Sequence, residues 1–496
     1  MKGKPNFLFI MCDQMRFDAL GCNGNKHVKT PNVDRLAARG VNFSNFFTPD
    51  PICVPARACL TTGCYPVKCT GNKKNDGEIK SGFPLLAEEF NKRGYETYAM
   101  GKLHYLPYEN SVTKQTTNGF KTVELAESGR IAKVCDREGA EDYLAYLKSA
   151  GWGGYSRANG LGNNDVLVST SIVPAEHYVD AWVADRTLHY LDRHLKGNPD
   201  RPFFMFSSFP KPHSAFDPPR PYDAMYDPRY LPGPVGDISM LKERGLNQFY
   251  RRHFEYEWDA LSPEAKKTIK AYYYGLISFQ DAQIGKLLNY LDIRGLTENT
   301  VIVYTADHGE MLGDFGLYFK EIFYNGSVRI PMMISHPGVI PHGRKTDALA
   351  GLQDLLPTLL AMTGEPLDAA VDGNDLKPAV FEDRDVREYY VAQCHNHPGQ
   401  QYMVAGKEWK YIYHQDGGVE ELYNRLEDPD ELVNQAAVKD AGSYGEIGLM
   451  RDYLVDWCRE NGDRSMLDGD RLVKGAQMEY YRRNSLDIRL FGRRYY

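Results

Sequence analysis

Short, fully apolar runs alternate with amphipathic segments along the first two thirds of the chain. Phe7–Met11, Phe203–Phe206 and Val301–Tyr304 are apolar at every position, which is typical of strands buried on both faces. Ala271–Arg294 has the spacing of a long amphipathic helix, and Gly295 is its expected stop. This alternation predicts an α/β fold in which helices cover a mostly parallel sheet.

A helix is also predicted shortly after the first apolar run. Thr30–Asn32 opens it with a proline, Val33–Arg39 forms it, and Gly40 closes it. Val41–Phe47 is predicted to be the next strand. The periodicity then weakens between residues 140 and 260, where we predict long loops over the active-site end of the sheet. The two clearest of these loops are Gly151–Asn164 and Asp217–Pro234.

The last quarter of the chain has a different pattern of apolar and polar residues. Its pattern predicts three short strands, Tyr389–Gln393, Tyr402–Ala405 and Trp409–His414. One helix, Ser443–Glu460, is predicted to follow them. We therefore divide the chain into a catalytic domain, residues 1–370, and a smaller C-terminal α+β subdomain, residues 371–496. The subdomain ends in an Arg- and Tyr-rich tail, Gln477–Tyr496, which is either a solvated or packed arm or a subunit contact. We expect a homo-oligomer, such as a dimer or tetramer.

Composition limits the function classes. Hydrophobic residues make up 42% of the chain, charged residues 25%, and the net charge is −7. These values are ordinary for a globular enzyme and argue against a nucleic-acid partner. The apolar run near the N-terminus is too short for a signal peptide, and no run reaches the ~20 residues of a membrane span. We expect a cytoplasmic protein with no membrane partner, unless a leader has been removed.

Nine cysteines make an odd set for a disulfide framework. They are Cys12, Cys22, Cys53, Cys59, Cys64, Cys69, Cys135, Cys394 and Cys458. In a chain without a leader, an odd number favours free thiols. A structural zinc site is the alternative, although no two cysteines have the CxxC spacing.

One cysteine stands in a setting that suits covalent chemistry. In Pro51–Gly63, Pro55 favours a helix that starts just after Cys53, and Arg57 follows one turn along on the same face. A helix N-terminus and a guanidinium both favour an anionic ester at such a position. The alternative interpretation is a buried structural cysteine that precedes a helix.

Carboxylates follow two of the predicted strands. Asp13 lies after the first apolar run, and Asp307 and His308 lie after Val301–Tyr304. Ligands of open α/β sheets bind at the carboxyl ends of the strands. Oxygen ligands gathered there suit a divalent cation. A helix cap or turn is the alternative role for an aspartate at a strand end.

Pro51–Gly63 resembles the sulfatase signature, in which Cys-x-Pro-x-Arg is followed by Leu-x-Thr-Gly. The resemblance covers nearly the whole chain, in order and in approximate spacing. Its further segments are Asn6–Asp13, Thr30–Ala37, Gly101–His104, Lys211–His213, Ala306–Gly309, Gly316–Lys320, Asp354–Thr358 and Glu421–Glu431. It implies an alkaline-phosphatase-like fold and a formylglycine-dependent sulfatase. A maturation enzyme would convert Cys53 to formylglycine.

The resemblance also implies the metal ligands, Asp13, Gln14, Asp307 and His308. Many sulfatases have a second Asp in place of Gln14 and an Asn in place of His308. A glutamine brings no charge, and an imidazole shifts the metal preference away from hard Ca²⁺. We expect one divalent metal, Ca²⁺, with Mn²⁺ or Zn²⁺ as alternatives.

The remaining catalytic roles come from the same resemblance. Arg57, Lys102 and Lys320 would stabilise the sulfuryl oxygens. His213, with Lys320, would protonate the leaving oxygen. Hydrated formylglycine has two hydroxyls: one attacks sulfur, and His104 would help to deprotonate the other, which expels sulfate. A plain Cys or Ser lacks that second hydroxyl.

Two other functions compete with sulfate-ester hydrolysis. Phosphonate monoester and phosphodiester hydrolases share the cysteine motif, the formylglycine and the Asp-Gln and Asp-His-Gly metal pattern. Choline sulfatases share that metal pattern too, so it does not separate sulfur from phosphorus esters. A catalytically silent binding protein on the same scaffold is the second competitor, and it predicts that site residues are lost.

The natural substrate stays open among sulfated sugars, aryl sulfates and alkyl sulfates. Tyr105, Tyr108 and Trp152 are candidates for stacking on a substrate ring, with loop core as the alternative. His395 and His397 are candidates for the rim of the pocket.

Overall fold

The structure is a computed structural model that describes residues 3–72, 75, 77–105, 117–127, 141–395, 399–437 and 441–479. Its strands, numbered in chain order, are β1 Asn6–Asp13, β2 Val41–Phe43, β3 Phe46–Phe47, β4 Glu96–Gly101, β5 Thr122–Leu125, β6 Phe203–Pro212, β7 Thr300–Ala306, β8 Met332–Ser335, β9 Arg344–Thr346, β10 Ala350–Gly351, β11 Tyr390–Cys394, β12 Gln401–Ala405, β13 Trp409–His414, β14 Val419–Asn424, β15 Leu467–Asp468 and β16 Arg471–Leu472.

A large sheet forms the centre of the described chain. Its eight strands have the order β5-β4-β6-β1-β7-β8-β2-β9. Every neighbouring pair is parallel except the two that β8 makes with β7 and β2. β1, β6 and β7 are buried at every residue, as their apolar runs predict. The predicted α/β class is confirmed, with one strand reversed.

Helices cover the sheet and connect its strands. They are α1 Pro31–Ala38, α2 Cys53–Thr62, α3 Pro66–Cys69, α4 Leu86–Lys92, α5 Asp142–Ser149, α6 Val179–Gly197, α7 Ile238–Glu243, α8 Asn247–Glu255, α9 Pro263–Ile293, α10 Asn325–Val328, α11 Leu355–Met362 and α12 Ala441–Glu460. α9 begins eight residues before its predicted start at Ala271. Ser262 caps the helix by accepting a hydrogen bond from Ala265 N on its hydroxyl (3.2 Å), and Pro263 suits the first turn.

The middle of the chain holds more helix than its pattern predicts. α6 has 19 residues and packs beside β6 and α9, yet it was not predicted. Asp180, Thr187 and His194 are polar and buried on its packed face, so they interrupt the apolar stripe that would reveal the helix. The predicted loops at 151–164 and 217–234 contain only short 3₁₀ turns.

The C-terminal part contains an antiparallel four-stranded sheet in the order β11-β12-β13-β14. Three strands and the helix α12 match the prediction, and β14 is an addition. One face of this sheet packs on α12 through Tyr402, Tyr411 and Leu454, and the other joins the core of the large sheet through Ala392 and Met403. The division at residue 370 stays a prediction.

Some predicted features lie outside the described residues, namely Tyr108, Cys135, His397 and the tail beyond Glu479. The eight cysteines that are described are free. Within the described ranges, no helix is both long enough and apolar enough to cross a membrane.

Candidate active site

The carboxyl ends of four parallel strands meet at one edge of the large sheet. Asp13 is the last residue of β1, Lys102 follows β4, His213 follows β6, and Asp307 follows β7. All four side chains are buried, with 0–1% of their surface exposed. The sheet therefore gathers residues that are up to about 300 positions apart into one charged cluster.

Cys53 is the first residue of α2 and is fully buried. The helix thus begins one residue earlier than predicted, after Ile52. The Sγ atom lies 3.1 Å from His308 Nε2. Burial raises the pKa of the thiol, but the charges of Lys102 and Lys320 outweigh burial and lower it to about 6. The position therefore favours negative charge on the nucleophile.

Arg57 links the nucleophile helix to the strand ends. Its Nε donates to Asp307 Oδ2 (2.8 Å), and its Nη1 donates to the carbonyl of Lys102 (2.8 Å) and to Ser208 Oγ (3.1 Å). Its Nη2 is buried and has no partner within the described part of the chain. The guanidinium is therefore fixed on one side and still has donors for an anion.

Four side chains could hold a metal ion together. The ligand atoms of Asp13, Cys53, Asp307 and His308 all lie within 4.8 Å of one another. Asp13 Oδ2 accepts a hydrogen bond from Lys102, whereas Oδ1 is buried without a partner among the described residues and lies 3.7 Å from His308 Nε2. An unsatisfied buried carboxylate oxygen fits a cation at this point.

The ionisation of Asp13 agrees with that assignment. Burial raises the pKa of Asp13, but the charges of Lys102, His213 and Arg57 outweigh it and hold the pKa well below its usual range. Burial lowers the pKa of His308, and Asp307 outweighs it and raises the pKa. Asp13 is therefore ionised at neutral pH.

Gln14 lies directly after β1 with a positive φ of 70°. Its backbone N–H donates to Asp307 Oδ1 (3.0 Å), and its side-chain Oε1 accepts a hydrogen bond from Lys320 Nζ (2.6 Å). The turn thus places the Gln14 amide beside the carboxylate cluster. Since Lys320 reaches the same oxygen, Gln14 joins the cluster to the residues that would handle the leaving group.

Lys320 and His213 lie together, as the resemblance implies. Lys320 Nζ is 3.0 Å from His213 Nε2, and His213 Nδ1 is 2.7 Å from the carbonyl of Ser214. Because a carbonyl only accepts, Nδ1 carries a proton and Nε2 is the atom that faces Lys320. Lys211 Nζ fixes this loop by donating to the carbonyl of Ala215 (2.7 Å) and to Asp217 (2.7 Å).

His104 is buried two residues after Lys102. The backbone N–H groups of Leu103 and His104 both donate to Glu127 Oε1, at 3.0 and 2.9 Å. A positive φ of 48° at His104 belongs to the same turn. Its predicted role in deprotonation stays a prediction.

Three other candidates have packing or hydrogen-bond contacts in the structure. His395 Nε2 is 3.0 Å from Tyr402 Oη and 3.6 Å from Asp463 Oδ2, so it is bound within the C-terminal part. Tyr105 is buried in the core, and Trp152 packs edge-on against Tyr155 at 5.5 Å between ring centroids. Loop core, the alternative for the two aromatic residues, agrees with these contacts.

Glu310 is a residue of the site that the sequence did not reveal. Its buried carboxylate accepts hydrogen bonds from Gln14 Nε2 and from the backbone N–H groups of Leu312 (2.9 Å) and Phe319 (2.6 Å). The available signal was an acidic residue directly after Asp-His-Gly. An acid beside a metal ligand is a frequent partner of that ligand.

Comparisons with known proteins agree with this architecture. The mostly parallel sheet with a C-terminal antiparallel sheet is the fold that sulfatases and phosphonate monoester hydrolases share. The profile of the family described as Sulfatase matches residues 5–365, and that of the C-terminal part of N-sulphoglucosamine sulphohydrolase matches residues 313–447. The chain belongs to the sulfatase family, and its enzymatic class is that of a sulfuric ester hydrolase.

Individual relatives support the same assignment. An arylsulfatase from Clostridium perfringens is 31% identical over 95% of this chain and 98% of its own length. A choline-sulfatase from Rhizobium meliloti is 30% identical over 88% of this chain and 83% of its own. The phosphonate monoester hydrolase of Agrobacterium radiobacter has a TM-score of 0.77 at 24% identity, over 92% and 96% of the two chains, which shows a shared fold.

Proposed function

We propose that the chain hydrolyses a sulfate monoester with a formylglycine derived from Cys53 and one divalent cation. The observation that carries the proposal is the group of ligand atoms around the nucleophile. Those of Asp13, Asp307 and His308 lie within 4.8 Å of one another and of Cys53 Sγ. A carboxylate-rich centre beside a covalent nucleophile suits the displacement of an anionic ester.

The cation would be held by Asp13, Asp307 and His308, with the Gln14 amide oxygen as a fourth ligand. The oxygen ligands suit Ca²⁺ or Mn²⁺, and the imidazole also suits Zn²⁺. When bound, the cation supplies Lewis acidity to the sulfuryl oxygen and to the nucleophile.

Arg57 and Lys102 bind the ester group from the protein side. Arg57 keeps Nη2 without a described partner, and its orientation is fixed by Asp307. Lys102 is fully buried beside Asp13. Because both charges are in place before the substrate binds, they stabilise the anionic transition state without reorganisation.

Lys320 and His213 act on the leaving alcohol. The 3.0 Å contact between Lys320 Nζ and His213 Nε2 allows a proton to pass between them. Since Nδ1 of His213 is held by the Ser214 carbonyl, Nε2 is the atom that delivers or receives this proton. His104 is proposed to assist the release of sulfate as a base.

The test begins with the mass of the peptide around Cys53, from protein produced together with a maturation enzyme. Conversion of CH₂SH to CHO removes about 18 Da and changes the nucleophile itself. We expect that loss, and we expect Cys53→Ala to abolish release of sulfate from 4-nitrophenyl sulfate. Full activity with an unmodified Cys53 would contradict the mechanism.

The same preparation distinguishes sulfur esters from phosphorus esters. We expect kcat/KM for 4-nitrophenyl sulfate to exceed that for 4-nitrophenyl phenylphosphonate, measured with Mn²⁺ and with Ca²⁺. A reversed order would assign the site to the phosphonate monoester reaction. Substrates would comprise aryl, alkyl and sugar sulfates, and we propose no narrower class.

A further inference from the structure

Glu310 is held in one orientation by backbone groups. Its Oε1 accepts hydrogen bonds from Leu312 N (2.9 Å) and Phe319 N (2.6 Å), and its side chain has no exposed surface. Its other oxygen, Oε2, therefore has a fixed position and faces the Gln14 amide. The backbone thus fixes a carboxylate against the one metal-ligand candidate that is an amide.

The Gln14 amide has two chemically different ends, and its neighbours distinguish them. A carboxylate oxygen accepts, so the end that faces Glu310 is the NH₂ group. An ammonium only donates, so the end that faces Lys320 Nζ at 2.6 Å is the carbonyl oxygen. Two independent neighbours therefore require the same orientation of the amide.

We infer that Glu310 is a positioning residue that locks the Gln14 amide with its oxygen toward Lys320 and the cation site. The inference rests on the proposed metal site and assigns a role to a residue outside the ligand set. Without the carboxylate, the amide would be free to turn its NH₂ group toward Lys320. Such a turn removes a ligand oxygen and places two donors against each other.

Glu310 acts as a hydrogen-bond acceptor, because the groups around its carboxylate are donors. Leu312 N and Phe319 N donate to one oxygen. Arg16 lies nearby, since its Nη1 donates to the backbone carbonyl of Glu310 (3.0 Å). These surroundings suit an accepting group.

The first test is Glu310→Gln. An amide at this position would still accept from Leu312 and Phe319, but it would turn an NH₂ group toward Gln14. We expect Mn²⁺ affinity to fall about 10- to 100-fold, as for other partners of metal ligands. Isothermal titration of Mn²⁺ into protein stripped with EDTA measures this without reference to catalysis.

The decisive test exchanges the two groups. Gln14→Glu alone places a second carboxylate against that of Glu310, and the two repel each other. We therefore expect weaker Mn²⁺ binding than in the wild type. In the double variant Gln14→Glu with Glu310→Gln, the new amide donates to the new carboxylate and every hydrogen bond is kept. We expect its Mn²⁺ affinity to return to within about threefold of the wild type or to exceed it, because coupled neighbours are non-additive.

Control variants separate orientation from general damage. Glu421→Gln changes another fully buried carboxylate far along the chain, and we expect it to leave Mn²⁺ affinity unchanged. Wild-type affinity in Glu310→Gln, or additive losses in the double variant, would overturn the inference. If Glu310→Gln does not fold, a folded double variant supports the inference and an unfolded one contradicts it. Wild-type protein that binds neither Mn²⁺ nor Ca²⁺ would instead contradict the proposed metal site.

Discussion

Two fully buried carboxylates in different regions of the molecule have opposite surroundings. Asp13, at the edge of the large sheet, accepts from Lys102 on one oxygen, and its other oxygen lies 3.7 Å from His308 Nε2 without a hydrogen-bond donor among the described residues. Glu421, on β14, accepts hydrogen bonds on both oxygens, from Tyr324 (2.8 Å), from His414 (2.7 Å) and from Tyr423. Both carboxylates have 0% of their surface exposed.

The difference separates a ligand site from a structural network. Burial raises the pKa of Glu421, and the hydrogen bond from His414 outweighs it and lowers the pKa, so protein groups alone stabilise the charge. At Asp13 one buried oxygen has no hydrogen-bond donor among the described residues, which costs stability unless a ligand binds to that oxygen. Both carboxylates are fully buried, and the completeness of their hydrogen bonding distinguishes them.

The two regions each contain a buried lysine, which allows the comparison to be tested. Lys320→Ala removes a cation whose described partners, Gln14 and His213, are not anionic. We expect kcat/KM for 4-nitrophenyl sulfate to fall about 1,000-fold, near 4 kcal/mol of transition-state stabilisation. The free energy of unfolding should fall by about 1 kcal/mol, because Gln14 Oε1 loses its donor while no carboxylate loses its partner.

Sulfate release and urea unfolding would be measured on the same preparation of the Lys320 variant. Lys407→Ala, in which the lost lysine is 41% exposed and pairs with Asp347, is the matched control and should retain wild-type activity. A Lys320 variant that loses stability but keeps its kcat would show that this lysine has a structural role. That result would contradict the distinction between the two regions.

Lys410 is the corresponding lysine of the C-terminal region. It is fully buried, and its Nζ forms an ion pair with Glu431 and donates to the carbonyl of Phe323 (2.7 Å) and to Asn325 Oδ1 (3.1 Å). Lys410→Met leaves a buried carboxylate without its partner. We expect a loss of about 3 kcal/mol in the free energy of unfolding, with kcat per folded molecule within about threefold of the wild type.

Urea unfolding followed by activity at a temperature where the Lys410 variant is folded measures both quantities. A stable variant with a large loss of kcat would show that Lys410 belongs to the catalytic region. Lys286→Met, at a partly exposed lysine 3.6 Å from Asp185, is the matched control and should change stability by less than about 0.5 kcal/mol.

The sequence predicts the large sheet well because its strands are buried on both faces. Phe7–Met11 and Val301–Tyr304 are short runs of apolar side chains, which is typical of strands buried on both faces. Asp13 and Asp307 were predicted to meet because parallel strands end at the same edge. By contrast, α6 was missed because its buried face carries polar residues, and its place in the fold depends on partners distant in the chain.

Contacts within the site could be predicted only in part. The motif places Arg57 one turn after Cys53, but its pairing with Asp307, 250 residues away, depends on how the sheet edge closes. The role of Glu310 depends on the rotamer of Gln14 and on two backbone N–H groups of a loop. No pattern of residue types specifies such an orientation, because it arises from tertiary packing.

The smallest expected effect concerns a single hydrogen bond in the structural network. Tyr423→Phe removes one of the donors to Glu421 and leaves those of Tyr324 and His414. We expect a loss of about 1.5 kcal/mol in the free energy of unfolding, which is typical of a hydrogen bond to a charged group. Activity and Mn²⁺ affinity should stay at the wild-type values, because Asp13 and Glu310 are untouched. Urea unfolding gives the stability, and a variant as stable as the wild type would mean that the complete hydrogen bonding of Glu421 contributes little to the fold.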